Sequence, residues 1–284
     1  MRALLALTLF GVSFAAAAQP KLISQATIST ITNVVAPEED DLQNVQNQGA
    51  GGPGSMLRNF GEGETKSTTF LKNGLVKTVI KTDMGRTTII RNNDTKLTTT
   101  LLEIMGNKNG FYISDDEQAS MRKRIDSMMQ ARRKDSTSQR PRQGPSENMV
   151  EVHITNETKK IAGYNCKKAW IVTTHMLGIK DSNAIWYNPE IKLQNLSSTG
   201  GTMGFGAFGT NNGFEKVDGF IMAYAAKLPR GRVMSVEVTK IDFTKEIADK
   251  EFEIPKDFVL KPMKEMQNMF GRAGGGGQRL EIRQ

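Results

Sequence analysis

The chain has 284 residues, with 38 Lys and Arg against 30 Asp and Glu, and a formal net charge of +8. A single cysteine excludes an intramolecular disulfide, so burial of apolar side chains must stabilise the fold. The basic residues are not interleaved with aromatic ones, as a binder of single-stranded nucleic acid would require, and we expect no nucleic-acid partner; an anionic membrane face stays open.

The N-terminus has the three parts of a secretory signal peptide. Arg2 precedes an apolar run from Ala3 to Phe14, and small residues follow at Ala16 and Ala18. This pattern predicts a signal peptide over residues 1–18, cut after Ala18. No later segment offers the roughly 20 apolar residues of a transmembrane helix. We therefore expect an exported protein, periplasmic or extracellular, without a transmembrane segment.

Strand patterns dominate the next hundred residues. Residues 19–35 are rich in Thr, Ile and Val, and an acidic, glycine-rich stretch near 37–58 is predicted to be a mobile insertion. From residue 64 onwards, apolar residues alternate with Thr and Lys between turn signals at 72–74 and 91–94. The alternation predicts an antiparallel meander with one wet face.

A helix is predicted where this meander ends. Ser114 and Glu117 have the spacing of a capping box, and Met121, Ile125 and Met128 follow at helical spacing. The polar stretch at 130–148 is predicted to be a mobile linker.

The second half of the chain returns to strands. We expect turns at 157–160 and 229–232, a mobile insertion near 197–214 and a flexible glycine-rich tail at 263–284. The fold predicted from these elements is mainly β (α+β): a curved antiparallel sheet or half-barrel of nine or ten strands, with one or two helices on its concave face. It forms one domain over residues 19–262.

The motif GFGAFG at Gly204–Gly209 has the spacing of a phosphate-binding loop. No buried strand precedes it and no amphipathic helix follows it, so the match is interpreted as accidental. The phenylalanines of this segment are unusual for a plain linker, and they fit a lid on the domain or a contact with a ligand or membrane.

No catalytic, metal or cofactor site is predicted. The two histidines have no Cys or Asp at zinc-ligand spacing. Cys166 is interpreted as a buried strand residue, with a dyad of Cys166 and His153 or His175 as the alternative. We therefore expect no enzyme, and a hydrolase that uses Cys166 stays open as a minor hypothesis.

Three phrases of the sequence resemble a known family: ETKKIAGYNCKKAWI at Glu157–Ile171, IWYNPEI at Ile185–Ile191 and FEIPKDF at Phe252–Phe258. They resemble a group of exported bacterial proteins that carry a domain of unknown function, number 4412 in its series. That group is distantly similar to the lipoprotein carrier fold (LolA- and LolB-like). The resemblance implies a half-barrel whose concave apolar face is capped by helices.

Two functions from different classes follow. The first is an exported, non-enzymatic envelope protein that holds a lipid or other apolar ligand in the half-barrel, with Phe205, Phe208, Trp186 and Met128 as candidate ligand-binding residues. The second is a structural or protein-interaction module of the cell envelope without a small ligand, whose basic linker docks on an envelope protein.

Overall fold

The computed structural model describes residues 21–36, 63–83, 85–121, 123–124, 127, 149–174, 180–193, 213–228 and 231–265. The fold within these ranges is mainly β, as the sequence predicts. The strands are β1 (Lys21–Ile23), β2 (Gln25–Val35), β3 (Gly63–Lys72), β4 (Leu75–Thr82), β5 (Gly85–Asn92), β6 (Leu97–Ile104), β7 (Asn107–Ser114), β8 (Met149–Ile161), β9 (Tyr164–Thr174), β10 (Lys180–Asn188), β11 (Ile191–Leu193), β12 (Phe220–Lys227), β13 (Val233–Asp242) and β14 (Val259–Pro262).

One large curved sheet holds twelve of these strands, in the order β14-β7-β6-β5-β4-β3-β2-β13-β12-β10-β9-β8. The long strand β2 joins the two halves, because it pairs β3 on one side and β13 on the other. Neighbours are antiparallel except for β14, which runs parallel to β7. The two short strands β1 and β11 form a separate parallel pair.

The β8–β9 hairpin shows how strongly the sheet curves. Lys159 on β8 and Glu237 on β13 form an ion pair of 3.0 Å. In a flat sheet these strands would lie four spacings apart, roughly 19 Å. A bulge between Ile154 and Thr158 bends the hairpin, so its tip returns over the sheet.

Three of the hairpins have tight two-residue turns: Asn73-Gly74, Met105-Gly106 and Ala162-Gly163. Both residues of each pair have positive φ, the requirement of a type I′ turn. The predicted turn at 72–74 is confirmed, whereas the expected turn at 157–160 is wrong because those residues extend β8. The turn expected at 91–94 lies at 93–96, because Arg91 and Asn92 still pair with β6.

The main core lies on one side of the sheet, which we call the core face. It carries Ile28, Leu71, Val76, Val236 and Val238, all buried. Cys166 is buried in the same hydrophobic cluster, as its interpretation as a strand residue expects.

The other side, the strap face, is crossed by residues 247–258, which we call the strap. The strap runs from the end of β13, near the middle of the sheet, to β14 at the edge. Its side chains Ile247 and Phe252 are buried. The predicted single wet face is therefore wrong for β3–β6, since apolar side chains are covered on both faces there.

A helix begins at Asp115, and its capping box is confirmed. The Glu117 amide donates to Ser114 Oγ, and the Ser114 amide donates to the Glu117 carboxylate, both at 3.2 Å. Residues 263–265 are also helical. No helix in the described ranges is long and apolar enough to cross a bilayer. Packing of the helix on a concave face stays a prediction.

Candidate functional site

Three lysines on the strap face fix the strap. Lys72 Nζ donates to the carbonyl of Ile247 and to the Asp249 carboxylate, both at 2.7 Å. Lys77 Nζ donates to the carbonyl of Glu251 at 2.7 Å and to its carboxylate at 2.8 Å.

The third lysine fixes the far end of the strap. Lys108 Nζ contacts the Asp257 carboxylate at 2.5 Å. This hydrogen bond raises the pKa of Lys108 and lowers that of Asp257. The strap is thus tied near its start and at its end, by charges that project from strands β3, β4 and β7.

A groove of about 500 Å³ lies between the strap and strands β3–β6. Its floor carries the apolar side chains of Phe70, Val79, Ile90 and Leu101, which alternate with Thr68, Lys77 and Thr88. The strap lines the other side with Glu251, Glu253, Pro255 and Phe258. The volume is within the range of small-molecule pockets, about 300 to 1,000 Å³.

One end of the groove is basic. Lys66, Lys81 and Arg86 line it. The register places Lys66 opposite Lys81 and Lys81 opposite Arg86, so three cations stand side by side across β3, β4 and β5. Like charges directly opposite one another destabilise a sheet, so packing alone does not favour this row.

The carboxylates nearby neutralise this end only in part. Lys66 pairs with Glu64 at 3.4 Å, and both side chains are mostly exposed. Glu103, the cross-strand neighbour of Arg86, lies 3.9 Å from Lys108. No carboxylate of the described residues forms an ion pair with Lys81 or Arg86, and the lining carboxylate of Glu253 is unpaired in the same ranges.

Two glycines permit the close packing around the groove. A Cβ at Gly85 would lie 2.0 Å from the Glu103 carbonyl oxygen, so only glycine lets β5 begin this close to β6. A Cβ at Gly110 would lie 2.5 Å from Leu260 Cδ2 and 2.9 Å from Leu101 Cδ2. Gly110 therefore makes room for the end of the strap to join the sheet beside the groove floor.

Of the candidate ligand-binding residues predicted from the sequence, Trp186 lies within the described ranges, and it does not line this groove. Trp186 lies in the other half of the sheet, with Lys168 Nζ 5.9 Å from its ring centre and 5.1 Å from that of Trp170. Phe205, Phe208 and Met128 lie outside the described residues. Their roles in ligand binding, and that of Trp186, stay predictions.

Phe214, next to the glycine-rich segment, packs onto the domain. It is buried and forms an edge-to-face contact with Tyr224, with 4.9 Å between ring centres. Gly213 precedes it with φ +74, and a Cβ there would lie 2.4 Å from Val150. Phe214, at the end of the insertion expected near 197–214, therefore belongs to the hydrophobic core of the domain.

The register of β8 and β9 separates the two residues of the Cys166–His153 dyad. His153 faces Trp170, whereas Cys166 faces Lys159, so the two lie four residues apart along β9, about 13 Å. Burial also raises the pKa of the Cys166 thiol. His175 lies outside the described residues. Among the described residues no three His, Cys, Asp or Glu side chains are grouped as metal ligands.

Sequence reasoning missed the groove, although the sequence contains a signal for it. Adjacent apolar pairs occur in four successive strands: Phe70-Leu71, Val79-Ile80, Ile89-Ile90 and Leu101-Leu102. Because successive side chains point to opposite faces, each pair places one apolar group on either side of the sheet. Such pairs indicate a sheet covered on both faces.

Comparisons with known proteins leave the family open. No family model matches the chain, and no curated protein matches it. Among solved structures, PNGF-II in its C2 crystal form aligns with a TM-score of 0.39 at 12% identity, covering 88% of this chain and 33% of that one. The P21 crystal form of PNGF-II aligns with a TM-score of 0.38 at 14% identity, covering 88% of this chain and 34% of that one. The chain thus spans about a third of the length of these structures, and the resemblance to the 4412 family stays a prediction.

Proposed function

We propose that this protein is an exported, non-enzymatic envelope protein that holds an apolar ligand, such as an acyl chain, in the groove beneath the strap. The observation that carries the proposal is the apolar floor made by Phe70, Val79, Ile90 and Leu101. Ligand pockets of this size are lined mainly by apolar side chains, with a few polar groups that orient the ligand. Export rests on the predicted signal peptide at 1–18.

The attachment of the strap supports a site that admits a ligand. The ties from the sheet reach Ile247, Asp249, Glu251 and Asp257. Between Glu251 and Asp257, no side chain of the described strands donates a hydrogen bond to the strap. A ligand beneath this span would therefore break no hydrogen bond from the sheet, while the ties at both ends and the buried Phe252 keep the span in place.

A substitution that fills the groove tests the proposal. Val79 is partly buried, lies in the floor and faces the strap, so Val79→Trp places an indole in the space that the ligand would occupy. We expect the affinity for dodecan-1-ol, measured by displacement of the fluorescent dye N-phenyl-1-naphthylamine, to fall about tenfold or more.

The matched control is Ile89→Trp. Ile89 is also partly buried and lies on the neighbouring strand, but on the core face. The Ile89→Trp variant should leave the affinity for dodecan-1-ol unchanged. Equal loss of affinity in both variants, or no binding of dodecan-1-ol by the unmodified chain, would contradict the proposal.

A further inference from the structure

The basic end of the groove carries cations that have no partner in the described part of the chain. Lys81 and Arg86 are exposed cations without an ion pair among the described residues, and Lys66 beside them has only an exposed partner. Because these three cations are cross-strand neighbours, their mutual repulsion lowers the stability of the sheet. An anion bound between them would offset this repulsion.

The cations without a partner on the strap lie at one end of the groove, whereas Lys77, further along, is engaged by Glu251. The cations occupy one lateral row of the sheet, at 66, 81 and 86. Two and four residues further along each strand lie Thr68 and Phe70, Val79 and Lys77, and Thr88 and Ile90. Because side chains two residues apart on one face are about 6 to 7 Å apart, Val79 lies beside the cations between two threonines, and Phe70 and Ile90 lie one row further, on either side of Lys77.

This arrangement is complementary to an amphiphile with one anionic end. We propose that the ligand is a long-chain carboxylate, whose headgroup is bound by Arg86 and Lys81 and whose chain lies along Val79, Ile90 and Leu101 beneath the strap. An arginine guanidinium offers a fork of donors that fits the two oxygens of a carboxylate. This inference rests on the proposed function and assigns the chemical class of its ligand.

Acidic residues are present at the groove but are largely engaged elsewhere. Glu251 is held by Lys77, and Glu103 shares Lys108 with Asp257. Glu253 remains, so two unpaired cations stand against one unpaired carboxylate. The groove therefore favours an anionic headgroup over a cationic one.

The test compares two probes of equal chain length, dodecanoate and dodecan-1-ol, by dye displacement at neutral pH. The unmodified chain should bind dodecanoate about tenfold or more tightly than the alcohol, as expected for one charge-assisted hydrogen bond. In the double variant Lys81→Gln with Arg86→Gln this preference should disappear, while affinity for the alcohol stays unchanged. Both side chains are exposed, so the variant should keep its fold.

Two control variants separate the site from the net charge. Lys167→Gln with Lys240→Gln removes two exposed cations outside the groove and should keep the preference. The variant Lys81→Arg with Arg86→Lys keeps both charges and should retain most of the preference for dodecanoate. Loss of the preference in the Lys167 and Lys240 variant to the same extent would overturn the inference, because net charge would then explain it.

The outcomes distinguish this inference from the function on which it rests. If the unmodified chain binds both probes equally, the apolar groove is upheld and the headgroup site is wrong. If it binds neither probe, the proposed function fails and this inference fails with it.

Discussion

Single hydroxyl groups on the core face have unequal surroundings. Thr30 and Ser67 face each other across β2 and β3, and both are buried. Neither hydroxyl has a hydrogen-bond partner in the ranges that the structure describes. Two residues further along β3, Thr69 faces Thr78 on β4, and their hydroxyl groups form a hydrogen bond of 3.0 Å. Burial of an unpaired hydroxyl costs stability, whereas a mutual pair offsets that cost.

This difference gives opposite predictions for one chemical change. Thr30→Val removes an unpaired buried hydroxyl and keeps the shape of the side chain, so we expect a gain of about 1 kcal/mol in the free energy of unfolding. Thr78→Val deletes one partner of a bonded pair and leaves Thr69 unpaired, so it should cost about 1 to 2 kcal/mol. Urea unfolding measures both. Equal changes in the two variants would show that the surroundings of Thr30 satisfy its hydroxyl.

At the scale of elements, the strap is the part of the fold that depends most on individual contacts. It has only a short 3-10 helix, at Asp249–Phe252, before it joins the sheet as β14. The rest of the strap is held by contacts from lysines of the sheet and by the burial of Ile247 and Phe252. Segments with few such contacts open more readily than the sheet beneath them.

Lys77 is the contact whose loss should release the strap most directly. Its side chain is 17% exposed, and its ammonium bonds both a carbonyl and a carboxylate of Glu251. Lys77→Met should cost about 1 to 2 kcal/mol and speed hydrogen exchange at the amides of Glu251 and Glu253, while the amides of β4 keep their protection.

The control for this element is Lys192→Met. Lys192 pairs with Asp218 at 2.8 Å, but Asp218 is 85% exposed, so the loss should stay within about 0.5 kcal/mol. If Lys77→Met left hydrogen exchange at the strap amides unaffected, the burial of Ile247 and Phe252 would be sufficient to hold the strap in place.

At the scale of the whole molecule, two carboxylates connect stability to pH: Asp242 at the end of β13, before the strap begins, and Asp257 near the end of the strap. The pKa of Asp242 is lowered by hydrogen bonds from the amide and hydroxyl of Thr244 and from the amide of Lys245. The pKa of Asp257 is lowered by Lys108. A lowered folded-state pKa means that the stabilisation is complete above the ordinary value of 3.8 and is lost as the pH falls through the lowered value.

We therefore expect the thermal unfolding midpoint to fall as the pH is lowered from about 5 to 2. The double variant Asp242→Asn with Asp257→Asn should start from a lower midpoint and show a weaker dependence over the same interval. Parallel curves for the two proteins would indicate that other carboxylates account for the acid sensitivity.

The sequence by itself determined the β class, the capping box at Ser114 and the turn at Asn73-Gly74, because alternation, capping and positive φ are properties of neighbouring residues. The burial of Cys166 likewise followed from its strand and its chemistry. Local pattern also misled: residues 157–160 have turn composition but extend β8, since cross-strand pairing and the Ala162-Gly163 turn decide where the hairpin reverses.

Only the tertiary structure decided which residues form a groove. Lys66, Lys81, Arg86 and Glu103 are separated along the chain and meet because antiparallel register aligns them across the sheet. The phrase FEIPKDF has no local signal that would place it above these strands, although its segment contacts lysines that lie 149 to 177 residues earlier in the chain. Its position depends on long-range contacts of lysines with the strap, which a sequence read in windows of neighbouring residues does not contain.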